Sequence, residues 1–167
     1  MLSTPRSSVP PTGTPSHLPV WKKPTLDAAD LGFSAFAERN QPRYTRYAQA
    51  RLARKADVTT AVQNTLSFAR QHWSWLLSQP NLAADVWKEL RCQTSRQAHA
   101  LSIQGATVAV LYSGLPGTSA DSVVLCRRLG LSVAEAAELM GLEPPAVEAG
   151  LGVARRLVPR LAEGGAP

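Results

Sequence analysis

The chain has 167 residues, room for one domain or two small ones. Its 44% hydrophobic content supports a globular core, and 18 Lys and Arg against 12 Asp and Glu give a net charge of +6. Two cysteines, Cys92 and Cys126, exclude a disulfide framework and point to a reduced, cytoplasmic setting. No apolar run is long enough to span a membrane, and the start "MLSTPRSSVPPTGTPSHLP" lacks the apolar centre of a signal peptide. The basic excess is local: residues 31–101 hold ten bases and four acids, residues 102–167 five bases and six acids. Such a patch favours polyanionic partners.

Residues 1–26 are rich in Pro, Ser and Thr and too poor in large apolar groups to offset their ordering entropy, so a disordered tail is expected there. From residue 27 the periodicity is helical, and the expected class is all-α. A first helix is expected over about 31–54, with Phe33, Phe36, Tyr44, Tyr47 and Leu52 as apolar anchors and Pro42 as a kink or interruption. A second is expected over 57–77, with Asp57 as its N-cap and Val58, Val62, Leu66, Ala69, Trp73 and Leu76 or Leu77 inward. "QPN" at 79–81 breaks it, and a third helix follows over 82–100, with Val86, Trp87, Leu90 and Ala98 inward. Together these make an N-terminal helical domain over 27–101. A linker is expected over 102–118, its apolar stretch at 105–114 read as a short helix because no strand partner is in sight.

The C-terminal domain is expected over 119–162, with a tail at 163–167. Its helices fall at about 119–129, 132–140 and 144–162. Gly130 ends the first. Ser132 and Glu135 in "SVAE" form a capping box, Gly141 turns the chain, and Pro144 and Pro145 suit a helix's first turn. This is the spacing of a helix-turn-helix within a three- or four-helix bundle, with Leu139, Leu142, Val147 and Leu151 filling the wedge.

The segment "DSVVLCRRLGLSVAEAAELMGLEPPAVEAGLGVARRL" (121–157) resembles the C-terminal domain of bacterial sigma factors of the sigma-70 family, extracytoplasmic-function type. The segment "FSAFAERNQPRYTRYAQARLARKADVTTAVQNTLSFARQHW" (33–73), with "NLAADVWKELR" (81–91), resembles that family's N-terminal domain. The resemblance implies two domains that bind core RNA polymerase and promoter DNA, the first opening the −10 element and the second reading the −35 element. It implies polymerase contact by Asp57, Thr60, Gln63 and Asn64. Val147, Glu148 and Leu151 on the last helix are the expected partner surface if the chain acts through protein–protein contact instead. It implies DNA contact by Arg39, Arg43, Arg46, Arg91, Arg96, Arg127, Arg128, Arg155 and Arg156. For the basic run itself the residues leave two readings open, phosphate contact or a solvated face. A regulatory protein of the anti-sigma kind is a further expected partner.

The departures from the family pattern are physical ones. Glu148, Ala149, Gly150 and Val153 stand where groove-facing Lys, Ser or Arg are usual, and direct readout needs such donors. From Leu129 to Ala154 there are four acids and no base, so that stretch repels phosphate. DNA contact by the C-terminal domain is therefore expected to be weak or altered. The alternative is a degenerate sigma-derived scaffold acting through protein–protein contact as antagonist, co-factor or assembly component. No nucleophile motif, phosphate-cradling glycine loop or metal-ligand spacing appears, so neither enzyme activity nor cofactor nor metal is expected.

Overall fold

The computed structural model describes residues 28–99 and 106–159. The expected tails at 1–26 and 163–167, residues 100–105 at the expected domain joint and the expected stretch of the last helix from 160 to 162 lie outside the described residues. Those described are all-α: eight α-helices and one π-helical turn, with no strand among them. None of these helices is long and apolar enough to cross a membrane.

Helix α1 spans Ala28–Arg51 and passes through Pro42 without interruption, where the sequence led us to expect a kink or break. Pro42 sits exposed, where water can meet the helix carbonyl that its missing N–H leaves unpaired. Packing on either side holds the helix: Phe36 lies against Trp73 with ring centroids 5.3 Å apart, and Tyr44 and Tyr47 are buried. Helix α2 spans Lys55–Gln71 and begins two residues before the expected N-cap. Asp57 is therefore in its first turn, where it accepts Nε and Nη2 of Arg54, both at 2.8 Å. The expected continuation to Leu77 is broken at His72, and a separate α3 runs Trp73–Ser78, in which Leu76 is buried and Leu77 exposed.

Helix α4 spans Leu82–His99 and α5 spans Ala106–Gly114. Asn81 starts α4 by accepting the Ala84 N–H at 3.0 Å, and its amide reaches the Gly141 carbonyl at 2.7 Å. Helix α6 (Gly117–Val123) continues into the π turn Val124–Arg128. The capping box forms as expected and opens α7 at Val133–Met140. Gly141 then adopts φ 64°, and the Leu142 N–H returns to the Ala137 carbonyl at 2.9 Å, a Schellman ending. Helix α8 runs Pro144–Leu157 with proline in its first turn.

One continuous apolar core joins these elements. It contains Tyr47, Val86, Trp87 and Leu90 from α1 and α4 together with Val123, Leu125, Ala136, Leu139 and Val147 from the second half. The second half thus completes the core of the first. Short side chains allow the close approach of α8 to α6. A Cβ at Gly150 would lie 2.8 Å from Ser122 Oγ and 3.3 Å from Ser119 Cα. Gly150 is consequently buried, and the expectation that it faces outward for DNA is corrected: it faces α6.

The two glycines of α8 should respond oppositely to alanine. Gly150→Ala overpacks the α6 crossing and is expected to cost about 1–3 kcal/mol. Gly152→Ala meets only Arg156 Nη1 at 3.7 Å and should gain up to about 1 kcal/mol of helix propensity. Denaturant unfolding of the two variants checks the difference in sign.

Candidate functional site

Asp121, on α6, is fully buried. An isolated carboxylate there would be strongly unfavourable, so its partners define the centre of the molecule. Its Oδ1 accepts the Tyr47 hydroxyl at 2.6 Å and the Tyr112 hydroxyl at 2.5 Å. Its Oδ2 faces Arg91 Nε at 2.9 Å and the Trp87 indole N–H at 3.4 Å. The carboxylate is thereby tied to α1, α4 and α5 at once.

A second cation stands behind the two phenols. Arg51 Nη1 donates to the Tyr47 hydroxyl at 3.0 Å and to Thr94 Oγ1 at 2.8 Å, and Nη2 reaches Ser95 Oγ at 3.3 Å. Its guanidinium carbon lies 3.9 Å from the centroid of the Tyr112 ring, a cation–π stack. Burial pushes the Tyr47 and Tyr112 phenols well above their ordinary value, and the neighbouring Asp121 charge pushes in the same direction. Both therefore stay protonated and donate to Asp121. Burial raises Tyr44 as well, against the opposing pull of Arg43.

Of the arginines expected to meet DNA, four are engaged within the chain. Arg39 and Arg43 both reach Glu138 on α7, the latter at 3.5 Å. Arg46 Nη2 donates to the Leu129 carbonyl at 2.9 Å. Arg91 is held by Asp121. The α1 stripe thus clamps α1 to the second half, although Arg39 and Arg46 remain exposed to solvent. Arg96, Arg127, Arg128, Arg155 and Arg156 are exposed, and no described carboxylate pairs with any of them.

The residues expected to meet polymerase or a partner also divide. Thr60, Gln63 and Asn64 are exposed on α2, although Thr60 Oγ1 turns to the Ala56 carbonyl and Asn64 to Gln93. Gln63 and Asn64 line an open groove of about 500 Å³ between α1 and α2, with Phe33 and Arg70. Asp57 is buried against Arg54, which holds its carboxyl below the usual range. Val147 and Leu151 are corrected from partner surface to core: both are buried, on the side of α8 that packs on α6 and α7. Glu148 alone of that set is exposed.

Sequence reasoning took Tyr47 and Trp87 as plain apolar anchors and gave Tyr112 and Asp121 no role. The available signal was an acid in the otherwise small and apolar stretch "GTSADSVVL". Comparison with protein-family models, with curated proteins and with solved structures found no match for this chain.

Two measurements probe the centre. Asp121→Asn takes away a buried acceptor on which Tyr47, Tyr112, Trp87 and Arg91 converge and is expected to cost about 1–3 kcal/mol by denaturant unfolding. The chain's three tyrosines are Tyr44, Tyr47 and Tyr112, all held above the ordinary 10.0. The stability they contribute is complete below pH 10 and is lost as pH rises further, because only the unfolded chain ionises there. Tyrosinate absorbance should stay flat past that pH and then rise together with loss of helical circular dichroism. A gradual rise in the folded protein would refute the burial of these hydroxyls.

Proposed function

We propose that the chain is a sigma-factor-like transcription regulator that binds core RNA polymerase and promoter DNA to direct transcription initiation. The observation that carries this reading is the α7–Gly141–α8 unit, capping box at its start and proline in the first turn of its second helix, with exposed arginines at its ends. That arrangement supports a helix-turn-helix. Arg127 and Arg128 on the π turn and Arg155 and Arg156 at the end of α8 are the phosphate contacts in this reading. They position the domain without specifying bases. Base readout is poor because α8 offers Glu148 and Ala149 outward while Gly150 is packed inward.

The compact arrangement bears on how such a protein works. The −35 and −10 elements lie about 25 base pairs apart, which is roughly 85 Å of duplex. A globular body of the described size is roughly 35 Å across. Reaching both elements requires α1 to release Glu138 and Leu129. The Arg39 pair is exposed, so it contributes at most about 1 kcal/mol. The shared core and Asp121 oppose separation more strongly. The closed form is in this reading the resting form, and polymerase stabilises the open one.

The engagement of Arg39, Arg43, Arg46 and Arg91 inside the fold favours the second reading, a sigma-derived scaffold that acts on proteins. In that case the exposed α2 face with Thr60, Gln63 and Asn64 meets the partner, which is a polymerase subunit or an anti-sigma-like regulator. Reconstitution separates the two. The first reading expects co-purification with core polymerase and start-site-specific transcripts. It also expects DNA affinity whose logarithm falls with log salt at a slope of about 4, for four phosphate contacts. Arg155→Gln with Arg156→Gln should reduce that slope by about 2. Polymerase binding without any promoter shift at low salt supports the scaffold reading, and absence of both rejects the first reading in favour of a scaffold that meets another protein.

A further inference from the structure

We propose that the recess between α4 and α5 is a binding site for a small phosphate-bearing anion. It is an open recess of about 340 Å³, lined by Arg51, Lys88, Arg91, Cys92, Ser95 and Tyr112. The site is independent of the polymerase reading; of the arginines expected to meet DNA it uses only Arg91, which Asp121 holds.

Three cations line the recess, and the single carboxylate in contact with them, Asp121, lies behind Arg91 and outside the lining. Arg51 is only 7% exposed, yet its hydrogen bonds go to the hydroxyls of Tyr47, Thr94 and Ser95. It touches Asp121 only through the two phenols, and these remain neutral. Glu89, the acid next to Lys88, accepts Gln93 Nε2 at 2.6 Å. The wall therefore keeps an excess of two positive charges, one of them on a nearly buried guanidinium. A desolvated charge without a counter-ion is costly, and an anion in the recess supplies the missing partner.

The donor set defines the ligand's chemistry. Guanidinium groups present paired N–H donors that match phosphate oxygens, and the Lys88 ammonium adds a movable charge at the rim. Arg51 lies too deep for a phosphate on the convex backbone of a duplex, whereas inorganic phosphate, pyrophosphate or the terminal phosphates of a small metabolite can enter.

The test titrates the full chain with inorganic phosphate and with pyrophosphate at constant ionic strength, chloride being the control. Calorimetry and melting temperature are the readouts. Saturable one-to-one binding with a rise in melting temperature is expected for at least one of the two anions. Lys88→Gln, an exposed position that leaves the core intact, should weaken binding about ten-fold. Lys55→Gln, at the start of α2 and outside the recess, should leave it unchanged. Absence of saturable binding by either anion beyond chloride overturns the proposal, as does an equal loss in both variants. A single-stranded oligonucleotide that binds without competition from either anion, when neither binds by itself, overturns it in favour of a nucleic-acid surface.

Discussion

A carboxylate removed from water requires compensation from every direction, and Asp121 obtains it from α1, α4 and α5 together. Two phenols, an indole and a guanidinium converge on it, and none of them can leave without uncovering a charge. The geometry of that convergence fixes where α6 sits relative to the first four helices. The apolar core surrounds the network but does not direct it, because leucine and valine contacts tolerate small shifts that hydrogen bonds of 2.5–3.0 Å do not. The network is also graded in charge: the anion is saturated by donors, while Arg51 behind it has neutral partners only. This asymmetry leaves the α4–α5 recess positive.

The same economy of contacts explains the arginines. A basic run on an isolated helix faces solvent, and in α1 it faces another part of the chain. Arg39, Arg43 and Arg46 recur at helical spacing, so they share one side of α1, and the end of α7 and the π turn lie along that side. Glu138, which contributes to the acidity of the second half, is thereby matched to the basicity of the first. The charge division between the two halves has a structural outlet within the chain, before any polyanion is considered.

Much of the architecture was legible from local signals. The capping box at Ser132, the turn at Gly141 and the proline start of α8 each depend on a few neighbouring residues, and all three form. The burial of Trp73, Val86, Trp87 and Leu90 follows from their spacing on one helical face. Boundaries were less legible. The second helix starts at Lys55 and stops at Gln71, because Asp57 pairs with Arg54 where an N-cap was expected and the chain turns at His72. Pro42 does not interrupt α1, since aromatic packing holds the flanking turns.

Sequence by itself determined that this chain is helical, where its tightest turns fall and which face of each helix is apolar, because those properties arise from residues within a turn or two of one another. It could not tell a phenol that packs from one that also donates to a carboxylate 74 residues away, as Tyr47 does to Asp121. Nor could it tell a glycine that weakens a helix from one that admits another, as Gly150 admits α6. Those distinctions belong to the tertiary structure. Distance along the chain says nothing about which groups share a low-dielectric interior, and only there do an unpaired charge or one extra methyl carry a large free-energy cost.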